Sequence, residues 1–253
     1  MVRWCAVLCL LLPSACFAQE QKDGEIHSLV VDTRDYLTAP LHWDEGNWAQ
    51  FAVSVAAIGV AHQYDDNMRN HFAANTDTQD THALRDALPT FAMFGGTWAI
   101  AALLHDHDGY EEGHAMLEAG GLTVLSTELL KYAAGRRRPN ETSKVDDWRN
   151  SGTSFPSMHT STAFAVGTVL AEYGNDNDRW MRRTIGYGLA LATSYARVHS
   201  NSHWFSDVVA GAALGIATAQ FTINRRDERR LNAASASLVP VPGGAMLFVS
   251  KTW

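Results

Sequence analysis

Three short stretches combine residue types and spacings that suit phosphoryl chemistry. The most specific comes last: Tyr195-Ala196-Arg197, five further residues, then His203-Trp204-Phe205-Ser206-Asp207. His203 and Asp207 stand four apart and share a helix face, so the carboxylate holds one imidazole nitrogen protonated and leaves the other to attack. A histidine nucleophile needs that pairing. An ordinary structural i, i+4 pair satisfies the same spacing. The second stretch is Ser154-Phe155-Pro156-Ser157-Met158-His159-Thr160. It opens a helix, where backbone N–H groups and a hydroxyl receive an oxyanion and His159 stands beside it. Taken alone, Ser157 also reads as a helix N-cap and His159 as a capping or surface histidine. The third runs from Lys131 to Arg138 and Pro139. Lys131 is a point charge and Arg138 a planar fork, a pair that neutralises and orients phosphate oxygens. A solvated basic helix terminus is the plainer account of the same residues.

Together the stretches read K-x6-R-P, then P-S-x-H, then R-x5-H-x3-D. In that order the chain resembles the type 2 phosphatidic acid phosphatase and vanadium haloperoxidase superfamily, over roughly Ala115 to Ile223. Three motifs in order with correct internal spacing make a chance match improbable. The resemblance implies a helical bundle and a phosphatase acting through a phosphohistidine. It makes Lys131, Arg138 and Arg197 phosphate ligands, with Ser157 and the backbone of Met158 as further contacts. It makes His159 the acid for the leaving group, His203 the nucleophile and Asp207 its orienter. Two positions depart from the family pattern. Met158 stands where glycine is usual, which keeps the N–H but loses glycine's conformational freedom. Ala196 stands where serine is usual, which removes a hydroxyl behind Arg197.

Six apolar segments must position these groups: Trp48–Ala61, Ala87–Leu104, Ala115–Leu130, Thr160–Tyr173, Thr184–Ala196 and Val208–Ile223. All read as helices, because they are too long for typical strands and polar loops separate them. Lys131, His159, Arg197 and His203 all fall at helix ends on one side of such a bundle. Beyond the last helix, Ser235–Val241 and Ala245–Lys251 flank Gly243-Gly244 and read as a short β-hairpin. The fold class expected is thus all-α, a bundle of about six core helices with that hairpin appended. The acidic, histidine-rich run His105 to His114 matches no metal-ligand spacing and reads as a solvated turn between helices. Neither a metal nor a cofactor is expected.

The N-terminus has a separate character. Arg3, the apolar run Ala6 to Leu12 and the small-x-small site Cys16-Phe17-Ala18 read as a secretory signal peptide over residues 1–18. Acylation at Cys16 is the alternative. Residues 19–47 read as an irregular or short-helical lead-in, 48–230 as the helical domain and 231–253 as a tail or hairpin. All three cysteines lie in residues 1–18, so the mature chain carries no disulfide. Residues 1–18 hold one Arg and no acid, so their loss takes the formal charge from −7 to −8, which argues against a nucleic-acid partner.

An exported start conflicts with six membrane spans, since three spans after an outside Gln19 would leave Lys131 in the cytoplasm. The longest uncharged segment is also marginal for a span. A periplasmic bundle is therefore expected, touching a membrane peripherally through Trp43 and Trp48, with an integral protein of six short spans as the alternative. The expected substrate is a phosphomonoester or a lipid phosphate of the phosphatidic acid or polyprenyl pyrophosphate type. Rival readings are a silent phospholipid-binding protein, for which Met158 argues, and a vanadate-dependent haloperoxidase, for which the chain is short.

Overall fold

The structure, a computed structural model, describes residues 30–73, 82–173, 178–232, 235–241 and 244–250. The signal-peptide reading of residues 1–18 lies outside them. The chain divides into two compact units, Met1–Asn47 and Trp48–Trp253. In the first, residues 30–38 form helix α1, followed by a 3-10 turn at Ala39–His42 that begins where Pro40 halts the α-helix.

The second unit is built from helices α2 (Glu45–Gln63, which begins at the boundary), α3 (Asp65–Ala73), α4 (His82–Leu104), α5 (His107–Ala134), α6 (Met158–Glu172), α7 (Arg179–His199) and α8 (Phe205–Asn232). A two-stranded antiparallel hairpin follows, β1 (Ser235–Val241) and β2 (Gly244–Ser250), with Ser235 opposite Ser250 and Val241 opposite Gly244. The six apolar segments are α2 and α4 to α8, and the hairpin lies one residue from its expected bounds. The fold is all-α with that appendage.

Two differences have clear physical causes. The run His105 to His114 is not a turn: only the bend at His105 and Asp106 is, because Asp106 caps α5 by accepting from the Asp108 N–H at 3.2 Å. The helix then continues because Tyr110 and His114 both pack edge-on against Trp98 of α4, with ring centroids 5.2 Å apart in each case. The short helix α3 has no apolar periodicity to announce it. Its place is fixed by tertiary bonds through Asp65 and Arg69.

The core lies between α4, α5, α6 and α8, where Met93, Met116, Ala119, Ala165, Val166, Val169 and Ala219 pack together. Small residues let the helices approach closely. Where α6 crosses α7, a methyl on Gly167 would lie 2.7 Å from the Gly186 carbonyl oxygen, and one on Gly186 would lie 2.4 Å from that of Gly167. No side chain fits there.

The perimeter of the bundle is unusually apolar. Val53, Phe91, Leu103, Leu129, Leu191 and Tyr195 are each more than half exposed, and they sit on α2, α4, α5 and α7. Among the described residues, Phe205–Arg230 of α8 is the one helix long and apolar enough to cross a membrane by length and composition, and half of it is buried inside the bundle.

Candidate active site

The C-terminal ends of α5 and α7 and the N-terminal ends of α6 and α8 meet at one end of the bundle, together with the loop 135–157. Gly135 makes the exit from α5 possible: its φ of 55° is left-handed, and its N–H caps the helix on the Lys131 carbonyl at 2.9 Å. The loop then passes behind α8 and returns to start α6. There the Ser157 N–H donates to the Asp207 carbonyl at 3.0 Å, and a methyl on Gly211 would lie 2.8 Å from the Ser157 carbonyl oxygen. The α6 and α8 N-termini are thereby locked side by side.

His203 is 2 % exposed. Its Nδ1 lies 2.8 Å from the Ser154 carbonyl oxygen, which can only accept, so Nδ1 carries the hydrogen and Nε2 keeps its lone pair. The sequence points to Asp207 for this task. In the structure the nearest Asp207 oxygen lies 3.8 Å from Nδ1, beyond hydrogen-bond range but close enough for a strong electrostatic contact. Burial, with Arg138 and Arg197 adding to it, pushes the His203 pKa down to about 3 against the opposing pull of Asp207. The ring is neutral at ordinary pH.

Asp207 is fully buried and saturated with donors. Its Oδ1 accepts from Arg136 at 2.6 Å, and its Oδ2 accepts from the Ser154 hydroxyl at 2.5 Å and the Trp204 N–H at 3.0 Å. Burial alone would raise its pKa, yet His203, Arg136 and Ser154 outweigh it and hold the carboxyl below the usual range.

The expected phosphate ligands surround this pair. Lys131 is buried at the end of α5 and donates through Nζ to the Thr153 carbonyl at 2.5 Å. Burial and then the neighbouring Arg138 lower its pKa from 10.5 to about 8. Arg138 is close enough to Arg197 that, after burial, this neighbour is the main influence lowering its own pKa. Its guanidinium reaches the Ser202 carbonyl at 3.4 Å, beside His203. Arg197 is 5 % exposed, and its carbonyl accepts from the His203 N–H at 3.3 Å.

Ser157 has the backbone geometry of an N-cap, but its hydroxyl makes no capping bond. That hydroxyl is buried with no partner among the described residues, and so is the Thr160 hydroxyl one turn later. Buried hydroxyls normally find a partner, so an unpartnered pair at a helix N-terminus fits an anion that is received there. The first intrahelical bond of α6 is Ser161 N–H to Ser157, so the N–H groups of Met158, His159 and Thr160 precede it. The Met158 and His159 side chains are half-buried on this first turn.

Sequence reasoning missed Arg136, Asp65 and the carbonyl of Ser154. Arg136 is wholly buried and stacks between Trp148, 4.4 Å away, and Trp204, 5.1 Å away. Its NH1 bonds Asp207 and the Ser206 hydroxyl (2.8 Å), and its NH2 bonds Asp65 at 2.7 Å and the Val145 carbonyl at 2.9 Å. The run Arg136-Arg137-Arg138 offers no spacing that singles out its first member.

Residues 113–231 match the model of the PAP2 superfamily. Over 87 residues, 34 % of this chain and 17 % of the relative, the sequence is 42 % identical to a lipid A 1-phosphatase of Porphyromonas gingivalis. Over 133 residues, 46 % of this chain and 49 % of the relative, it is 26 % identical to a PA-phosphatase related-family protein of Dictyostelium discoideum. The chain therefore spans less than half the length of these curated relatives. Among solved structures, LpxE of Aquifex aeolicus is similar with a TM-score of 0.41 and 22 % identity, over 61 % of this chain and 93 % of that one. A transmembrane PAP2 type phosphatidylglycerolphosphate phosphatase of Bacillus subtilis is similar with a TM-score of 0.39 and 21 % identity, over 80 % and 95 %.

Proposed function

We propose that this chain, a member of the PAP2 superfamily through residues 113–231, hydrolyses a phosphomonoester or lipid phosphate by way of a phosphohistidine on His203. The observation that carries the reading is the 2.8 Å contact between His203 Nδ1 and the Ser154 carbonyl, which sets the tautomer. With Nδ1–H committed to the Ser154 carbonyl, the lone pair of Nε2 is the ring's only nucleophile, and the imidazole is neutral.

The steps follow from the neighbours. Lys131, Arg138 and Arg197 receive the phosphoryl oxygens, with the Ser157 hydroxyl and the first N–H groups of α6, including that of Met158, completing the cradle. Nε2 attacks phosphorus, an N–P bond forms, and the P–O bond to the leaving group breaks. His159 gives the departing oxygen its proton. The ring now carries a positive charge, which the Ser154 carbonyl and the Asp207 carboxylate stabilise. His159 then takes a proton from water, the hydroxide oxygen attacks phosphorus, and the N–P bond breaks with its electron pair returning to Nε2.

The perimeter supports a lipid substrate and an envelope location. Exposed apolar side chains on α2, α4, α5 and α7, with Trp48 and Trp180 each more than half exposed, suit contact with a membrane. We read the protein as exported and membrane-associated, with its phosphate site at one end of the bundle. The names of the two curated relatives, a lipid A 1-phosphatase and a PA-phosphatase related-family protein, favour a phosphate on a lipid over one on a small soluble metabolite.

The test is release of inorganic phosphate from phosphatidic acid in mixed micelles containing EDTA, with and without vanadate. Turnover that EDTA spares and vanadate inhibits competitively is expected, since three cations supply the charge at the site. Turnover that chelation abolishes and zinc or magnesium restores would overturn the mechanism. Tight binding of the lipid without phosphate release would mark a silent binding protein.

A further inference from the structure

The buried network behind the nucleophile reaches a residue outside the segment that matches the family. Asp65 opens α3 and is 0 % exposed. Its Oδ1 accepts from the Ser206 N–H at 2.8 Å, so it caps α8 from 141 positions away. Its Oδ2 accepts from the Ser206 hydroxyl at 2.6 Å and from Arg136 at 2.7 Å. Arg136 therefore lies between two carboxylates, Asp65 on NH2 and Asp207 on NH1, with both ion pairs sealed from solvent. At the solvent end, His62 contacts Asp65 through Nδ1 at 3.0 Å and the exposed Asp146 through Nε2 at 2.9 Å.

A cap on α8 needs only one short acceptor, and a buried ion pair adds little net stability over apolar packing of the same volume. Charge balance gives the second carboxylate a purpose. Arg136 and Asp207 alone sum to zero, so the field of Asp207 at His203 would be largely cancelled. Adding Asp65 leaves the three groups with one net negative charge, and any charge on His62 has its own counter-ion in Asp146. That matches the single positive charge the ring acquires when Nε2 bonds phosphorus.

We propose that Asp65 is a positioning residue for catalysis, sharing Arg136 with Asp207 so that the network holds a net negative charge against the phosphorylated His203. The inference rests on the phosphohistidine reading. Asp65 touches no reacting atom, and its effect is confined to states in which the ring is cationic. Non-covalent binding of phosphate, governed by Lys131, Arg138 and Arg197, does not depend on it.

The experiment compares two inhibitors on the full chain. Inorganic phosphate occupies the site without bonding to His203, whereas vanadate bonds to Nε2 and makes the ring cationic. In Asp65→Asn and Asp65→Ser, the inhibition constant for vanadate rises by about tenfold or more, the low end of what one nearby charge does to an ionising group. The constant for phosphate stays within about threefold, and kcat falls with little change in KM. Asp65→Glu keeps the charge and restores most of the vanadate affinity. Parallel weakening of both inhibitors overturns the proposal, as does failure of both uncharged variants to fold, since either makes Asp65 a structural residue. If the unaltered protein forms no phosphohistidine, the functional reading itself falls. If it forms one and the inhibitor ratio does not move, only the role of Asp65 falls.

Discussion

The two ends of the bundle use the same residue types to opposite purposes. At the end formed by the α5 N-terminus, the α6 C-terminus, the α7 N-terminus and the α8 C-terminus, arginines are neutralised by carboxylates. Glu172 takes Arg179 at 3.3 Å and Arg183 at 2.7 Å, Glu112 takes Arg182 at 2.7 Å, and Glu118 takes Arg226 at 2.9 Å. Each of these pairs ties two helices together, and most are open to solvent on one side. At the catalytic end, the pairing is split. Arg136 is clamped by two buried carboxylates, while Lys131 and Arg138 rest on the carbonyls of Thr153 and Ser202. A carbonyl orients a cation without cancelling its charge, so the charge remains available to an incoming anion. The arginines of the far end are neutralised; the proposed phosphate ligands are only held in place.

The sharpest break in that comparison is removal of a held cation. Arg138→Ala is expected to lower kcat/KM by about 10²- to 10³-fold, the range for losing one donor to developing charge. Thermal stability should stay near that of the parent, because no carboxylate is left unpaired. A loss under threefold would mean that Arg138 does not face the phosphate.

A subtler break comes from pH. Lys131 is charged in the free enzyme below about pH 8 and loses its proton as pH rises through that value, so kcat/KM should fall there. His203 stays neutral down to about pH 3, so its protonation does not set the acid limb in the working range. An activated aryl phosphate, which needs little help from an acid, isolates the effect. With it, Lys131→Arg should move the alkaline limb up by at least a unit, because arginine keeps its charge. An unmoved limb would assign it to another group.

The smallest effect on activity is expected at the opposite end. Glu172→Gln leaves Arg179 and Arg183 without their carboxylate and should cost about 1 kcal/mol of stability, as partly exposed pairs do. Turnover per folded molecule should not change. Altered kcat would show that the two ends are coupled.

How legible this was in the sequence depended on distance along the chain. Lys131, Arg138, His159 and His203 announce themselves because motif spacing and helix geometry are local, and the apolar segments and the hairpin follow from local periodicity. Asp65 and Arg136 do not, since their bonds to Asp207 and Ser206 cross some 70 and 141 positions and nothing near either residue encodes that reach. The role of Ser154 was hidden for another reason: the group that orients His203 is a backbone carbonyl, which every residue possesses. The helical start of α5 was misread because a run of charge looks like a loop until its capping aspartate and its partner on α4 are in view.

If His203 takes the phosphoryl group, a phosphoenzyme trap will find it there. The purified protein is mixed with labelled activated aryl phosphate, quenched in alkali within milliseconds and digested to locate the label. Acid-labile, alkali-stable label is expected on His203, none in His203→Ala, and accumulation in His159→Ala, whose phosphoenzyme lacks a base for water. Label on His159, or label persisting in His203→Ala, would contradict it.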